Sequence, residues 1–158
     1  MENRAPSFFS LLRRGGIYYN APGSVPEDLL RWLIQTVPAA DIDKDALLKA
    51  VLEREDLMPT AMGNGIALPH PRNPILEREE AQIAALAFLE NGIDWGALDG
   101  RAVDTVILVV SASARIHLSM LQRITFFCRD GGFCALLQRR APAEEIFDYI
   151  ERGEKSWK

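Results

Sequence analysis

Apolar residues at helical spacing predict two helices in the first third of the chain. The first follows Ser24-Val25-Pro26-Glu27, which has the S-x-x-E form of a capping box, and Pro38 ends it. Its apolar stripe consists of Leu29, Leu30, Leu33, Ile34 and Val37. The second helix is predicted from about Asp43 to about Arg54, with a stripe of Leu47, Leu48, Val51 and Leu52. Each stripe needs a sheet, or the other helix, to cover it.

The middle of the chain changes to the pattern of strands. Short or nearly continuous apolar runs occupy residues 66–68, 82–89 and 103–110. Continuous runs are typical of strands buried on both faces. Ile93-Asp94-Trp95 predicts a further short strand, and Asp99-Gly100 predicts a turn before Val103.

The last third returns to helical spacing. Helices are predicted from Arg115 to about Arg129, from Gly132 to Arg139 and from Pro142 to Arg152. Helices, then strands, then helices again predict an α/β domain with a mixed sheet between helical layers. The pattern does not predict the strand order.

Length and charge narrow the classes of partner. A chain of 158 residues with 48% hydrophobic and 25% charged residues predicts one domain over residues 1–158, with residues 1–10 as a loosely ordered extension. The formal net charge of −4 gives no positive field for nucleic acid. The longest apolar run, residues 83–89, is too short for membrane insertion. No signal peptide is recognisable, so the expected location is cytoplasmic, with Cys128 and Cys134 as reduced thiols.

One segment before the long strands is rich in residues with special backbone demands. Gly63-Asn64-Gly65 permits positive φ and close approach of a ligand, although a simple turn has the same composition. His70 stands between Pro69 and Pro71, after the short apolar run. A histidine held on so stiff a backbone suits a fixed reaction geometry. The alternative is a loop histidine without a role.

The second histidine, His117, is predicted in the first turn of its helix. It shares a face with Met120, Leu121, Ile124 and Cys128, so it is either a packed core residue or part of a site. The positive end of a helix dipole disfavours imidazolium and attracts anions. A neutral His117 there can donate a hydrogen bond to a phosphoryl oxygen or to a second imidazole. The chain has 2 histidines, so any pair of histidines consists of His70 and His117.

Other chemistries find no support in the sequence. His117 and Cys128 are separated by about 16 Å along a helix, so they do not ligate one metal ion. The spacing of Cys128 and Cys134 is not a usual zinc spacing. A nucleophile elbow and a Walker-type phosphate loop are both missing from the sequence. No metal and no cofactor is therefore expected.

These motifs resemble a known family. Arg54-Glu55, Thr60, the string from Gly63 to His70 and the later His117-Leu118 are similar to the enzyme IIA domains of the bacterial phosphoenolpyruvate-dependent sugar phosphotransferase system. The likeness is to the fructose/mannitol class and especially its nitrogen-regulatory branch, and it extends from about Leu11 to Glu151. It implies a sheet of about five strands with helices on both faces, in three layers.

The resemblance also implies roles for individual residues. His70 corresponds to the phosphoryl acceptor, His117 to the histidine beside it, and Arg54 to an arginine that helps to hold the phosphoryl group. The predicted phosphate-binding set is Thr60, Gly63, Asn64, Gly65 and Arg72: backbone N–H groups of the glycine turn could contact the phosphoryl oxygens, and Arg72 either adds a charge-assisted contact or faces solvent. The implied donor is a small histidine-phosphorylated carrier protein. The implied acceptor is a IIB protein or, in the regulatory branch, a regulated target protein.

Three functions remain open from the sequence. A phosphoryl carrier is the leading hypothesis, in nitrogen or metabolic regulation or as the IIA component of fructose/mannitol-type sugar uptake. The second is a regulatory binding module that no longer relays phosphate, because Pro71, Pro59 and Ala61 depart from the family pattern at the rim where a donor would dock. The third, a nucleic-acid role for residues 11–16, depends only on Arg13 and Arg14.

Overall fold

Helices and strands follow one another largely as the hydrophobic pattern predicts. The computed structural model describes residues 6–39 and 41–156. The helices are α1 (Phe8–Gly15), α2 (Pro26–Thr36), α3 (Lys44–Leu57), α4 (Ala114–Arg129), α5 (Gly131–Gln138) and α6 (Ala143–Lys155), with a 3₁₀ turn at Glu79–Ala81. The strands are β1 (Ile17–Ala21), β2 (Ala61–Gly63), β3 (Ile66–Ala67), β4 (Ile83–Ile93) and β5 (Val103–Val110).

The strands form one mixed sheet of five in the order β1-β4-β5-β3-β2. β1 is parallel to β4 and β3 is parallel to β5, whereas the β4–β5 and β2–β3 pairs are antiparallel. β4 and β5 lie at the centre, which explains why their sequences are almost continuously apolar. This arrangement confirms the predicted α/β fold.

Both faces of the sheet are covered by helices. One core contains the apolar stripes of α2 and α3 against Ala85, Ala87 and Leu108 of the sheet. The other contains residues of α1, α4, α5 and α6 against Leu86, Ile107 and Val109. The three predicted layers are therefore present, and no helix in the described part of the chain is long and apolar enough to cross a membrane.

The N-terminal segment corrects one expectation. Residues 1–10 were expected to form a loosely ordered extension, yet α1 begins at Phe8, whose side chain is fully buried together with Leu11 and Leu12. Residues 1–5 lie outside the described residues. The hydrophobic pattern also did not predict β1, which adds an edge strand beside β4.

Two smaller expectations are also wrong. The capping box at α2 does not form, because Val25 is the N-cap residue and no side chain caps the helix there. The separate strand expected at residues 93–95 is absent, since Ile93 is the last residue of β4. At α3, in contrast, Asp43 caps the helix as expected, accepting a hydrogen bond from Ala46 N–H at 3.0 Å.

A buried carboxylate joins the two ends of the chain. Glu154 of α6 accepts hydrogen bonds from the N–H groups of Phe8 and Phe9 at 2.8 and 2.7 Å, and Arg123 Nη1 lies 3.0 Å from its carboxylate. Only 7% of the Glu154 side chain is exposed. An anion at the N-terminus of α1 also interacts favourably with the helix dipole.

Replacing Glu154 is therefore expected to destabilise the fold. Glu154→Gln should lower the free energy of unfolding by about 2 kcal/mol, because the variant keeps a neutral acceptor but leaves Arg123 without this buried counter-charge. Urea denaturation measures the change. Glu151→Gln is the control, since its pair with Lys155 is exposed at 3.5 Å and should contribute less than about 0.5 kcal/mol. Equal losses in both variants would contradict the role of the buried carboxylate.

Candidate functional site

His70 lies directly beyond β3, on a backbone that is held from both sides. Leu68 N–H donates to Thr60 O, and Val109 N–H donates to Pro69 O, each at 3.1 Å. The ring of His70 is partly buried, and its Nδ1 lies 2.7 Å from Leu68 O. A carbonyl oxygen only accepts hydrogen bonds, so the neutral ring carries its proton on Nδ1. Nε2 therefore keeps a free lone pair.

His117 lies beside His70, as the sequence predicts. It is in the first turn of α4, where its backbone N–H donates to the carbonyl oxygen of the N-cap residue Ser113 at 3.0 Å. Side chains on a helix lean toward its N-terminus, which directs His117 toward the end of β5. The two imidazole ring centroids are 4.9 Å apart, with 50° between the ring planes. The two histidines of the chain thus form one pair.

Both imidazoles are held in the neutral form. Burial lowers the pKa of His117 to about 4, with a further contribution from the neighbouring His70. Burial is also the main cause that lowers the pKa of His70, partly opposed by the hydrogen bond to Leu68 O. A neutral His70 can act as a nucleophile, while a neutral His117 has one N–H to donate.

The neutral pair predicts a pH dependence of stability. Unfolded histidine binds a proton near its usual pKa of 6.5, but native His117 does so only near a pKa of about 4, so stability is lost as pH falls through this window. The urea midpoint of the wild type should fall between about pH 7 and about pH 5. The urea midpoint of His117→Gln should fall less over the same pH range, because this variant lacks one titrating ring. Equal falls in the two proteins would argue against a neutral, buried His117.

The end of α3 brings positive and negative groups to the pair. Arg54, in its last turn, donates to Met58 O at 2.6 Å and helps to lower the pKa of His70, so its charge acts at the ring. The carboxylate of Glu55 accepts hydrogen bonds from Thr60 N–H at 3.0 Å, from the Thr60 hydroxyl and from Trp95 Nε1 at 3.1 Å. Thr60 is thus bound by Glu55, and its own carbonyl supports Leu68.

Glu55 lies beside the histidine pair and has contacts there that the sequence reasoning missed. The sequence pattern predicts no separate role for it beyond its place in the Arg54-Glu55 motif. Its carboxylate opposes the effect of Arg54 on the pKa of His70 and holds Thr60, whose carbonyl oxygen accepts from Leu68 N–H close to the histidine. The signal available in the sequence was its position next to Arg54, but the contact with Trp95 spans 40 residues and needs the fold.

The glycine-rich turn lies at the start of β5, whereas the backbone beside His70 is bonded to Val109 near the end of that strand, so a phosphate-binding role for the turn stays a prediction. Gly63, Asn64 and Gly65 have φ values of 91°, 57° and 80° and form the turn between β2 and β3. Five residue steps of largely extended chain, roughly 16 Å, separate Gly65 from His70. The N–H of Asn64 donates to Asp99 Oδ2 at 2.9 Å, and Gly65 O accepts from Asp104 and Thr105. The turn closes the hairpin between β2 and β3.

Arg72 follows the site residue closely and is exposed. It lines a groove of about 630 Å³ between α3 and the segment after His70, together with Glu53, Asp56 and Ile75 among others. The structure therefore places its guanidinium at the rim, so contact with a bound phosphoryl group remains a prediction. Pro71 beside it is buried, whereas Pro59 is exposed and Ala61 is partly exposed.

The described residues contain no group of three or more histidine, cysteine or acidic side chains that could hold a metal ion. Cys128 and Cys134 are free thiols, and burial raises the pKa of Cys128 to about 12.

The two arginines of residues 11–16, on which a nucleic-acid role would depend, make contacts within the protein. Arg13 lies 4.4 Å from the ring centroid of Phe147 and 3.2 Å from Glu144, and Arg14 donates to the backbone oxygen of Gln82 at 3.2 Å.

Comparison with known proteins agrees with this geometry. Residues 10–153 match the family described as phosphoenolpyruvate-dependent sugar phosphotransferase system, EIIA 2. A nitrogen regulatory protein of Pseudomonas aeruginosa is 33% identical over 144 residues, which cover 89% of this chain and 92% of the relative. A mannitol-specific phosphotransferase enzyme IIA component of Enterococcus faecalis is 24% identical over 134 residues, covering 85% and 92%.

Solved structures show the same fold. The crystal structure of the nitrogen regulatory protein IIA-Ntr from Neisseria meningitidis superposes with a TM-score of 0.77 at 19% identity, covering 90% of this chain and 97% of that one. Enzyme IIA of mannitol from Escherichia coli, in complex with phosphorylated enzyme IIB, gives 0.66 at 18% identity, covering 85% and 93%. With its histidine pair, its three layers and this match over most of its length, the chain belongs to the EIIA 2 family of the phosphoenolpyruvate-dependent sugar phosphotransferase system.

Proposed function

We propose that this protein is a phosphoryl carrier that accepts a phosphoryl group on His70 from a histidine-phosphorylated carrier protein. The observation that carries the proposal is the hydrogen bond from His70 Nδ1 to Leu68 O, with His117 beside it. It leaves Nε2 as the one ring nitrogen with a free lone pair. Half-burial of the ring limits access to a partner that docks over the site.

The transfer step is a simple displacement. The Nε2 lone pair of His70 forms a bond to phosphorus as the bond from phosphorus to the donor's histidine nitrogen breaks, and that electron pair returns to the donor ring. Such a reaction needs chiefly positioning and stabilisation of the phosphoryl oxygens. A neutral His117 offers one N–H for this purpose. Arg54 offers the guanidinium donors that its bond to Met58 O leaves over.

The next recipient distinguishes two versions of this function. The Escherichia coli relative forms a complex with a phosphorylated IIB protein, which supports a IIB protein as acceptor in sugar uptake. The relatives at 33% identity are instead named nitrogen regulatory proteins, which favours regulation of a target protein in the cytoplasm. We favour the regulatory version because these relatives match most of the chain more closely than the mannitol components do.

Radiolabelled phosphoenolpyruvate, with the first enzyme of the system and its small carrier, tests acceptance. The wild type should take up about one phosphoryl group per chain, in a bond that is stable to alkali and labile to acid, as expected for a nitrogen–phosphorus bond. Labelling on a serine or threonine, or no labelling above a reaction without the small carrier, would contradict the proposal.

A chase separates relay from regulation. Addition of a mannitol-class IIB protein should remove the label rapidly if the protein feeds sugar uptake, and should leave it in place if the protein is regulatory. A regulatory module that does not relay phosphate at all predicts a different result. It would bind its target equally in the wild type and in His70→Ala, whereas His70→Asp, which introduces negative charge, would alter that binding.

A further inference from the structure

Gln82 is a buried polar residue directly before β4, and the proposed transfer step does not use it. Only 1% of the residue is exposed. Its Oε1 accepts a hydrogen bond from Ala112 N–H at 2.8 Å, and its Nε2 donates to Glu79 O at 3.1 Å. Both ends of the amide therefore have a backbone partner, which fixes the orientation of the side chain.

One partner lies in the segment that follows His70, and the other lies in the connection that precedes the helix of His117. Glu79 lies in the 3₁₀ turn near the end of residues 71–82, which connect His70 to β4. Ala112 lies in the short connection between β5 and α4, directly before the N-cap residue Ser113. The Gln82 amide thus joins the segment that leaves His70 to the segment that leads to His117.

The position of Ala112 is transmitted directly to His117. Ser113, the next residue, accepts from Ile116 N–H through its hydroxyl at 3.2 Å and from His117 N–H through its carbonyl at 3.0 Å. These two bonds fix the first turn of α4. A shift of Ala112 therefore moves the turn that holds the His117 ring against His70.

Neighbouring groups hold Gln82 itself but do not replace its amide. Arg14 of α1 donates to the backbone oxygens of Gln82 and Glu79 at 3.2 and 3.4 Å. These two bonds attach the backbone at Glu79 and Gln82 to α1. Ser111, in the same connection as Ala112, has a buried hydroxyl without a hydrogen-bond partner among the residues that the structure describes. That hydroxyl contributes nothing to fixing the connection.

We infer that Gln82 is a positioning residue for phosphoryl transfer, because its amide holds the connection between β5 and α4 that leads into the His117 turn. The inference rests on the proposed function of the histidine pair. Misplacement of a reacting or stabilising group by about 1 Å can slow a reaction about 100-fold. A residue that touches neither histidine nor phosphate can therefore affect the rate strongly.

Three variants test the inference. Gln82→Met keeps a similar length but loses both hydrogen bonds. Gln82→Glu keeps an acceptor for Ala112 N–H. Thr105→Val is the control, because Thr105 is also buried and polar but lies toward the other end of β5, where its hydroxyl donates to Asp104. For each, the measurements are the initial rate of labelling by the phosphorylated small carrier and the NMR titration of the His117 ring.

Gln82→Met is expected to label about 10-fold or more slowly than the wild type, with His117 titrating at higher pH because a displaced ring is less buried. Thr105→Val should label within about threefold of the wild type, and Gln82→Glu should fall between it and Gln82→Met, because it keeps the acceptor for Ala112 N–H but places a buried carboxylate oxygen against Glu79 O. If Gln82→Met does not fold, Gln82→Asn replaces it, because its amide is one methylene too short to reach both partners.

The outcomes separate the inference from the proposed function. Slow labelling of Gln82→Met, together with titration of its His117 ring at higher pH, supports the positioning role. Labelling of that variant at the rate of Thr105→Val, with an unchanged His117 titration, would overturn the inference and leave the carrier function intact. Absence of labelling in the wild type would overturn the proposed function, and the positioning role with it.

Discussion

His70→Gln is expected to accept no phosphoryl group from the phosphorylated small carrier. Glutamine is similar in size but its amide nitrogen has no basic lone pair, so the nucleophile is lost. Removal of a nucleophile should lower the initial labelling rate by more than about 1000-fold. The measurement is radiolabel incorporated per chain over time, with the fold of each variant checked by its thermal unfolding.

His117→Gln is the matched comparison. It removes the neighbouring ring but leaves the acceptor, so labelling should continue at a rate reduced by about 100-fold, as for loss of one stabilising donor. The order of the two effects is the informative result. If His117→Gln abolishes labelling while His70→Gln retains it, the assignment of acceptor and neighbour is reversed.

Gly15→Ala is expected to have the largest effect on stability. A Cβ at this position would lie 1.9 Å from Ala84 O and 2.7 Å from Ala84 C, which are backbone atoms of β4 and cannot rotate away. Helix α1 would have to move off the sheet, where Phe8 and Leu11 are fully buried. The loss should be about 3 kcal/mol or more, at the upper end of overpacking effects.

Gly131→Ala is the control for that substitution. Gly131 is the first residue of α5, and a Cβ there meets no atom within 4 Å. Its unfolding free energy should stay within about 1 kcal/mol of the wild type, with a small gain from the reduced entropy of the unfolded chain. Denaturation of both variants in urea makes the comparison. Similar midpoints for Gly15→Ala and the wild type would contradict the close packing of α1 on β4.

The fold was predictable where the hydrophobic period extends over many residues. β4, β5 and the helices α2 to α6 follow from runs or stripes that point to one burial pattern. α1 was not predicted, although Phe8, Leu11, Leu12 and Gly15 have helical spacing, because eight residues give a weak signal next to exposed arginines. β1 is short and lies at an edge, and its burial depends on contacts with β4 that only the fold supplies.

The site was predictable in part. The resemblance placed His70 and His117 together, and their rings are adjacent. The glycine turn was assigned to the same site because its backbone N–H groups could contact the phosphoryl oxygens. Gly65 bonds to Asp104 and Thr105 at the start of β5, however, whereas Pro69 bonds to Val109 near its end, so the turn and the segment of His70 contact different ends of that strand.

Polar contacts between distant segments could not be predicted from the sequence. Gln82 reads in the sequence as the first residue of an apolar run, and nothing local indicates that its amide spans two loops. Glu55 likewise gains its significance from Trp95 and Thr60. Such residues become visible only when the register of the sheet and the start of α4 are known.

Nitrogen-15 NMR of the histidine side chains tests the central claim most directly. Before phosphorylation at neutral pH, His70 should be uncharged, with its proton on Nδ1 and Nε2 unprotonated. After incubation with the phosphorylated small carrier, the phosphorus should be bonded to Nε2 of the same ring. A His70 that is protonated on Nε2 at neutral pH, or phosphorus on any other atom, would contradict the account.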